Sequence, residues 1–274
     1  MSKKIMHFQY ISNILKEKRY LEHLQSRFAN EHKLTPMIGV ELEFYLSQHI
    51  AIAGLSKLIA MPIIKEEGKN QFELNFPPTT NLIKLVHQVN ATKQQIMYYA
   101  KLYKGVADFS PKPFLDDYGN GMHINLSFVE NNDEEFVHAC AKTLCYFLTQ
   151  TLLLFMESEN EYSRLDYKFM APTHIAYGKN NRSVAIRINT NLPQTVIEHR
   201  VPSASSNIYS VLCAILRAIE KMILEPHHDI HKFFPIYGNA FDEQYQNQPI
   251  PSNHQEALEH FNINFFDFNK YFQL

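Results

Sequence analysis

Gly39-Val40-Glu41-Leu42-Glu43-Phe44 is the stretch of sequence that decides the fold of this chain. Side chains two residues apart point to the same face of a β-strand, so Glu41 and Glu43 lie together on one face. The apolar residues beside them face the other way. Two carboxylates on one face repel each other unless a positive charge lies nearby. Taken alone, the stretch fits either an exposed edge strand with two solvated acids or a sheet whose inner surface carries charge.

The same alternation of polar and apolar residues recurs at three other places, which favours the second interpretation. The runs are Gln71-Phe72-Glu73-Leu74-Asn75, His123-Ile124-Asn125-Leu126-Ser127 and Glu198-His199-Arg200. Each run turns a charged or polar row to one face of its strand. Charges on a shared inner surface need compensation, and metal ions or phosphate groups can supply it. The sequence therefore predicts a polar sheet surface that holds cations and a polyanion.

The composition is that of a globular protein and argues against several functional classes. The chain has 274 residues, of which 45% are hydrophobic and 20% charged, enough for a sizeable core. A net charge of −2 gives no strong field to attract nucleic acid, and no apolar run is long enough to span a membrane. The first residues lack a signal-peptide core. The three cysteines lie in apolar helical contexts and indicate reduced core thiols, so we expect a cytoplasmic protein.

Strand patterns and long helical patterns alternate along the chain, which predicts a single α+β domain. Periodicity and capping signals predict four long helices. These run from Tyr10 to Asn30, from Pro77-Pro78-Thr79 to about Lys104, from Asp133 to Glu157, and from a Ser205 cap to Leu224. The segment from Glu159 to Pro172 is predicted to be irregular.

Further charged residues are predicted to join the polar surface from loops and neighbouring strands. A hairpin around residues 67–70 can bring Glu66 close to Glu73. In Gly119-Asn120-Gly121-Met122-His123, the glycines let the backbone approach a ligand, and the following strand presents His123 beside the acids. The positive charges of the surface come from Arg182, Arg187 and Arg200.

In this order, the motifs resemble the catalytic domain of glutamine synthetase and of its relatives, the γ-glutamylamide and γ-glutamylpolyamine synthetases. The matched runs are Gly39 to Phe44, Glu66 with Gln71-Phe72-Glu73, Gly119 to His123, Asn181-Arg182-Ser183 with Ile186-Arg187, and Ile197-Glu198 with Arg200-Val201-Pro202. The resemblance implies an α+β fold with a curved, largely antiparallel sheet, whose polar concave face is backed by long helices. It divides the chain into an N-terminal helical extension, residues 1–36, and a catalytic domain, residues 37–274.

The resemblance also implies roles for individual residues. It predicts two divalent cation sites for Mg²⁺ or Mn²⁺, which would bridge the phosphates of ATP and a substrate carboxylate. The ligands of the first are Glu43, Glu66 and Glu73, and those of the second are Glu41, His123 and Glu198. Arg182, Arg187 and Arg200 correspond to phosphate- and carboxylate-contacting arginines. Arg164 and Gly119 correspond to the amino-acid substrate site, and Ser127 and Asn125 to the nucleotide side.

Departures from the family pattern affect mainly the acceptor side of the predicted site. Met170 stands where the family carries a flap glutamate that takes a proton from ammonium, and the flap lacks its Pro-Gly hinge. Asn125 replaces a second histidine, and a lysine expected before Glu198 is missing. The family's β-grasp domain has no counterpart in this sequence. The expectation is therefore a minimal catalytic sheet with an altered acceptor side.

Three functional interpretations remain open at this stage. The first is an ATP-dependent carboxylate–amine ligase that passes through an acyl phosphate on an amino acid such as glutamate and uses an amine other than free ammonia. The second is a kinase-like phosphotransferase. The third is a non-catalytic nucleotide- or amino-acid-binding protein that associates with another subunit. Expected partners are small-molecule amino acids and amines, with homo-oligomer formation left open. A competing role for Met170 is core packing, with Glu161 or Asp166 as the base.

Overall fold

The stretch from Gly39 to Phe44 lies in β1, Pro36–Leu46, an eleven-residue strand near the middle of an eight-stranded sheet. A computed structural model describes residues 3–15, 18–225, 228–245 and 248–266 of the protein. The remaining strands are β2 Ile64–Lys65, β3 Gln71–Thr79, β4 Ala107–Asp108, β5 Met122–Phe128, β6 Tyr177–Lys179, β7 Ile186–Asn189 and β8 Val196–His199. The α-helices are α1 Lys3–Leu15, α2 Lys18–Arg27, α3 Ile52–Ile59, α4 Leu82–Leu102, α5 Glu134–Thr151, α6 Ile208–Leu224 and α7 His254–His260.

The sheet has the strand order β2-β3-β1-β5-β8-β7-β6, and β4 pairs with the end of β1. All pairings between these strands are antiparallel except the parallel pairing of β6 with β7. The α+β class with a largely antiparallel sheet, predicted from the sequence, is thereby confirmed. Strands that are distant in the chain become neighbours, because β5 pairs on one side with β1 and on the other with β8.

Alternation along β1 separates the two faces of the sheet. Val40 and Leu42 are at most 1% exposed and belong to the hydrophobic core, whereas Glu41 and Glu43 point to the opposite face and are only half-buried. The register places Glu41 opposite His123 on β5 and Glu43 opposite Glu73 on β3. Side chains directly opposite each other on antiparallel strands are close neighbours. The register therefore gathers the charged rows of separate strands into one surface.

The core lies between the other face of the sheet and the helices. Helices α4 and α5 contact the sheet directly, and α6 packs on α5. Residues of the N-terminal helices, among them Phe8, Leu21 and Leu24, belong to the same buried cluster as the strand residues. The division of the chain at residue 36 stays a prediction, but the side chains on its two sides share one core. Among the described residues, no helix is long and apolar enough to cross a membrane.

Two helix boundaries differ from the sequence prediction for local reasons. Pro77-Pro78-Thr79 was predicted to open a helix, but all three lie at the end of β3, where a register irregularity opposite Ile38 accommodates prolines that cannot donate to a ladder. Helix α4 starts after Asn81, whose side chain accepts from the backbone N–H of Lys84 at 3.0 Å. Helix α6 starts after Asn207 and not at Ser205, because the hydroxyl of Ser205 donates to Glu161.

Other elements also depart from the prediction. The predicted helix from Tyr10 to Asn30 is recorded as α1 and α2, with residues 16–17 between them outside the described part, and ends in a π-helical turn, Phe28–His32. Helix α5 ends at Thr151 and a 3₁₀ turn follows it. The segment predicted to be irregular contains two short 3₁₀ turns, Glu159–Arg164 and Tyr167–Phe169. Strand β6 was not predicted, because three residues carry too little periodicity to be recognised.

Candidate active site

A cleft of about 680 Å³ opens on the polar face of the sheet. Its walls come from strands β1, β3, β5, β7 and β8 and from the loops that follow them. The predicted residues that line it are Glu41, Glu43, Glu66, Glu73, Gly119, His123, Arg164, Arg182, Arg187, Glu198 and Arg200. The structure thus brings together all six predicted cation ligands and all four predicted arginines, from segments up to 159 positions apart in the chain (200 − 41 = 159).

Three of the predicted ligands form a close cluster around one nitrogen of His123. The Nδ1 atom lies 3.3 Å from Glu41 Oε2 and 3.4 Å from Glu198 Oε1. Potential ligand atoms of these three residues all lie within 4.8 Å of one another. This set is the same as the second predicted cation site. Two carboxylates and one imidazole at this spacing could hold a divalent cation.

A second cluster consists of Glu43, Glu73 and, again, His123. The Nε2 atom of His123 lies 3.9 Å from Glu43 Oε1, so the two nitrogens of the imidazole face different carboxylate groups. The sequence had placed Glu66 in this set. Glu66 lines the same cleft, but its carboxylate is not part of the close triad in this arrangement. The hairpin that carries it is joined by β2, which pairs with β3 at only two positions.

The pKa values of the clustered carboxylates are shifted in opposite directions, upward by burial and neighbouring acids and downward by hydrogen bonds. Burial and the negative charges of Glu41, Glu66 and Glu43 raise the pKa of Glu73 to about 8. Burial, followed by the charge of Glu43, also raises the pKa of Glu66. For Glu41, burial acts in the same direction but is outweighed by hydrogen bonds from His123 and Asn125, which hold its pKa at about 2. Negative charge on the Glu73 side of the cleft is therefore not compensated by the protein alone.

On the other side of the cleft, two arginines compensate Glu198. The Nη1 atom of Arg187 donates to Glu198 Oε2 at 2.9 Å, and that of Arg200 donates to Oε1 at 2.7 Å. Glu198 is only 1% exposed and each arginine residue 9%. The Nε atoms of both arginines have no hydrogen-bond partner within the described ranges. The arginines thus support a buried carboxylate, and both line the cleft, where their positive charge would favour a bound anion.

Arg164 fills the space that two glycines leave open. Its guanidinium donates to the backbone carbonyls of Val201 at 2.9 Å and Arg200 at 3.0 Å. A Cβ atom on Gly119 would lie 2.8 Å from Arg164 Cγ, and one on Gly121 would lie 2.4 Å from Arg164 Nη2. Glycine is required at both positions because any side chain would displace this arginine. Burial lowers the pKa of Arg164 to about 10, a range in which it still carries its charge near neutral pH.

Asn125 and Ser127, predicted for the nucleotide side, share the polar face of β5 but are not among the residues that line the cleft. The amide nitrogen of Asn125 donates to Glu41 Oε1 at 2.9 Å, and its Oδ1 has no partner in the described part of the chain. Ser127 is 4% exposed, and its hydroxyl lies 3.5 Å from the carbonyl oxygen of Met37. Asn125 therefore positions a candidate cation ligand.

Met170 lines the cleft and is 41% exposed, which contradicts the alternative that it packs into the core. It has a left-handed backbone conformation, with φ 58°, at the end of the 3₁₀ turn. Neither acid proposed as a substitute base lines the cleft. Glu161 is 3% exposed and accepts from the backbone N–H of Ser158 at 2.8 Å, and Asp166 forms an ion pair with Lys112. The cleft therefore has the apolar side chain of Met170 where the resembled family carries a base.

Several lining residues were not singled out from the sequence. Asn189 lies two residues from Arg187, so the i, i+2 rule could have found it, as it did find the row that contains Gln71 and Glu73. Gln71 also donates to the carbonyl oxygen of Gly119 at 2.9 Å. This hydrogen bond connects the hairpin between β2 and β3 to the loop that contains Gly119 and Gly121. Tyr118, Phe169 and Ala171 come from loops, where no periodic signal marks them.

The chain belongs to the glutamine synthetase catalytic-domain family, a family of carbon–nitrogen ligases. The family profile for the catalytic domain of glutamine synthetase matches residues 56–272, more than half of the chain. Strand β1 with Glu41 and Glu43 lies before the start of this match, at the beginning of the domain predicted from the sequence. The resemblance inferred from the motifs is thereby confirmed.

Relatives of known identity include two kinds of synthetase. The chain is 26% identical over 226 residues to γ-glutamylputrescine synthetase PuuA of Escherichia coli, covering 77% of this chain and 46% of that protein. It is 28% identical to the glutamine synthetase of Thermococcus kodakarensis, covering 88% of this chain and 63% of that protein. The chain therefore spans about half to two thirds of the length of these curated relatives.

Solved structures with the same fold include a complex titled GmaS/ADP, with a TM-score of 0.75 at 21% identity over 93% of this chain and 73% of that one. The glutamine synthetase of Plasmodium falciparum aligns with a TM-score of 0.71 at 15% identity over 92% of this chain and 74% of that one. At these identities the likeness establishes the fold.

Proposed function

We propose that this protein is an ATP-dependent carboxylate–amine ligase that activates the side-chain carboxylate of an amino acid such as glutamate and transfers it to an organic amine. The observation that carries the proposal is the cleft itself, in which six candidate cation ligands face four arginines. Acids that could hold cations and arginines that could hold phosphate, brought together in one cleft, form a surface suited to a metal–polyphosphate complex. Membership of the family supports the reaction class, and the relatives include a synthetase named for an organic amine.

Two divalent cations fit the donor sets of the cleft. Carboxylate oxygens and one imidazole are ligands suited to Mg²⁺ or Mn²⁺, and we assign Glu41, His123 and Glu198 to one ion. Glu43 and Glu73 belong to the other, with Glu66 within the same cleft. Bound there, the cations would neutralise the phosphates of ATP and the developing charge of the transferred phosphoryl group.

The arginines serve the anionic substrates in this proposal. Arg187 and Arg200 hold Glu198 in place and present positive charge to the transferring phosphate. Arg164 is held by two backbone carbonyls and lines the same cleft, where its charge suits a carboxylate. Arg182 is exposed at the cleft rim and would take part when phosphate is bound. Fixed donors that stabilise charge in the transition state contribute large factors to rate.

The reaction then has two steps. An oxygen of the substrate carboxylate attacks the γ-phosphorus of ATP, the bond to the bridging oxygen breaks, and ADP leaves with the bonding electrons. An amine, in its neutral form, attacks the acyl carbon and displaces inorganic phosphate. The alkylammonium gives one proton to solvent water on becoming neutral, and the attacking nitrogen gives a second proton to the displaced phosphate. Met170 offers no base that could deprotonate ammonium within the cleft, and its apolar side chain suits a carbon chain, so we propose an organic amine as the acceptor.

The test is an assay of the purified protein with ATP, Mg²⁺ or Mn²⁺, glutamate and a panel of amines that includes ammonium, methylamine, n-butylamine and putrescine. We expect phosphate release and amide formation in equal amounts, dependent on glutamate and on an organic amine. Release of phosphate without an amide would favour a kinase-like phosphotransferase. ATP binding without turnover for any pair would favour a non-catalytic binding protein. Homo-oligomer formation or association with another subunit remains a prediction, to be tested on the same preparation by light scattering.

A further inference from the structure

A buried lysine lies next to Phe169, one of the residues that line the cleft. The side chain of Lys112 is 3% exposed, and its Nζ atom lies 2.6 Å from Asp166 Oδ2. The same ammonium lies 4.3 Å from the centroid of the Phe169 ring, within cation–π distance. Lys112 does not line the cleft, whereas Phe169 does. The lysine therefore contacts the outer side of a wall whose inner side faces the substrates.

That wall is the segment Asp166–Ala171, here called the strap. Its turn is closed by the carboxylate of Asp166, which accepts from the backbone N–H of Lys168 at 3.1 Å. The N–H of Met170 donates to the carbonyl oxygen of Tyr167 at 3.3 Å, and that of Ala171 to the carbonyl oxygen of Asp166 at 3.2 Å. Asp166 thus uses one oxygen to hold the turn and the other to hold Lys112.

Lys112 itself is anchored to the substrate side of the fold. The carbonyl oxygen of Pro111, next to it in the chain, accepts from the N–H of Asn120 at 2.8 Å. Tyr118 packs edge-on against Phe169, with ring centroids 5.4 Å apart. The strap is therefore held to the loop between residues 111 and 121 at two points, by the Lys112–Asp166 ion pair and by the contact of the Tyr118 and Phe169 rings.

We infer that the Lys112–Asp166 ion pair fixes the strap so that Tyr118, Phe169 and Met170 form an apolar subsite for the carbon chain of the acceptor amine. The inference rests on the proposed function and specifies its acceptor as a primary alkyl amine of several carbons. A thioether and two aromatic rings in an otherwise charged cleft suit methylene groups, whose burial away from water is favourable. Ammonium has no methylene groups, so contacts with these three side chains do not strengthen its binding. Lys112 is a positioning residue in this account.

A binding experiment tests the subsite without requiring turnover. The protein is labelled with ¹³C at the methionine methyl groups, and the Met170 signal is assigned with Met170→Leu. With Mg²⁺, ADP and glutamate present, n-butylamine is expected to shift this signal saturably, while ammonium chloride at equal concentration leaves it in place. In Lys112→Leu, half-saturation should need about tenfold more n-butylamine, and Lys112→Arg should restore it. The matched control is Lys168→Leu, which removes an exposed lysine from the same strap and should bind as wild type does.

Amide exchange reports on the strap itself. The amides of Met170 and Ala171 should exchange about tenfold faster in Lys112→Leu than in wild type or Lys168→Leu. Equal exchange in Lys112→Leu and wild type would overturn the role of the ion pair. A Met170 methyl signal that ignores n-butylamine, or responds equally in both variants, would overturn the subsite. Absence of ligation in the presence of these shifts would instead count against the proposed reaction alone.

Discussion

Met170 is the residue on which the choice of acceptor depends. It lines the cleft at a position where the resembled synthetases carry a glutamate, and no acid from the strap replaces it there. We expect Met170→Glu to raise kcat/KM for ammonium by about tenfold or more, because a carboxylate at the cleft mouth can take a proton from ammonium. Met170→Gln, which has a similar shape but no base, is the control. Equal gains from Glu and Gln would show that size, and not proton transfer, limits ammonia use.

Arg200 is expected to stabilise the fold and to bind phosphate, and replacing it with alanine affects both. It donates to the buried carboxylate of Glu198, so Arg200→Ala should lower the free energy of unfolding by about 1–3 kcal/mol. Loss of a phosphate donor should in addition lower kcat by about 100-fold or more at temperatures where the variant is folded. Thermal unfolding and steady-state kinetics measured side by side separate the two effects.

The structural duty of Arg200 can be isolated in a double-mutant cycle. In the Glu198→Gln background the carboxylate charge is gone, so Arg200→Ala should cost less stability than in wild type. The same cycle applies to Arg187, which holds the other oxygen of Glu198. Activity that falls only in proportion to the folded fraction would argue for a purely structural role of both arginines.

Glu73 makes the metal-free protein sensitive to alkaline pH. Its folded-state pKa is raised to about 8 from an ordinary value of 4.5, so the folded state keeps a proton that the unfolded chain has already released. Stability therefore falls as the pH rises between these two values. Burial lowers the pKa of His123, but the charge of Glu43 and the hydrogen bond with Glu41 outweigh it, so the pKa is raised overall. This raised pKa also makes the folded state less stable as the pH rises from neutral to alkaline values.

The corresponding measurement is the melting temperature of chelator-treated protein from pH 5.5 to 8.5. We expect the wild-type melting temperature to fall by more than that of Glu73→Gln, which cannot ionise at this position. Parallel curves for the two proteins would mean that Glu73 titrates normally.

At the scale of elements, helix α6 depends on a cap that the sequence placed two residues too early. The Oδ1 atom of Asn207 accepts from the backbone N–H groups of Tyr209 at 2.9 Å and Ser210 at 3.4 Å. We expect Asn207→Ala to lower the free energy of unfolding by roughly 1 kcal/mol, and Asn207→Asp or Asn207→Ser to recover most of it. Chemical denaturation measures the difference. If Asn207→Ala unfolds at the wild-type denaturant concentration, the cap makes no net contribution to stability.

Strand pairing explains why the elements produce a site at all. The pairs Glu41 with His123, Asn125 with Glu198 and Arg187 with Glu198 place one residue of each strand opposite the next. A shift of any strand by one residue would turn its charged row into the core. The same register that buries Ile124 and Ile197 therefore also assembles the cation ligands, and the site and the core cannot be varied independently.

For the whole molecule, the cleft predicts that divalent cations stabilise the fold. Burial and the neighbouring carboxylates raise the pKa of Glu73, so its charged form is disfavoured in the protein alone, and an ion that binds only the folded state adds stability by mass action. We expect millimolar Mg²⁺ or Mn²⁺ to raise the melting temperature by a few degrees, since about 1 kcal/mol corresponds to roughly 2–4 °C in a domain of this size. The rise in melting temperature should be smaller in Glu73→Gln than in wild type. Ca²⁺ and Na⁺ serve as comparison ions. A melting temperature that is independent of Mg²⁺ and Mn²⁺ would contradict the assigned cation sites.

The sequence by itself determined which face of each strand is charged, because alternation with period two is a local property. It also determined the class of the fold, the family and the set of acids and arginines that share the cleft, because those motifs lie in strands and their order is specific. It could not determine short or unperiodic elements such as β6, nor the cap of α6, where Asn207 and Ser205 compete and a distant acid, Glu161, engages the serine.

Only the tertiary structure decided how the charges are distributed within the cleft. That Glu198 is held by two arginines, that His123 is shared between two carboxylate clusters and that Glu66 stands outside the closer one all follow from distances between separate strands. The fastening of the strap by Lys112 likewise joins residues 54 positions apart. Contacts between residues that are distant in the chain produce no periodic pattern in the sequence. They depend on the tertiary arrangement of the strands and loops and not on the neighbouring residues in the chain.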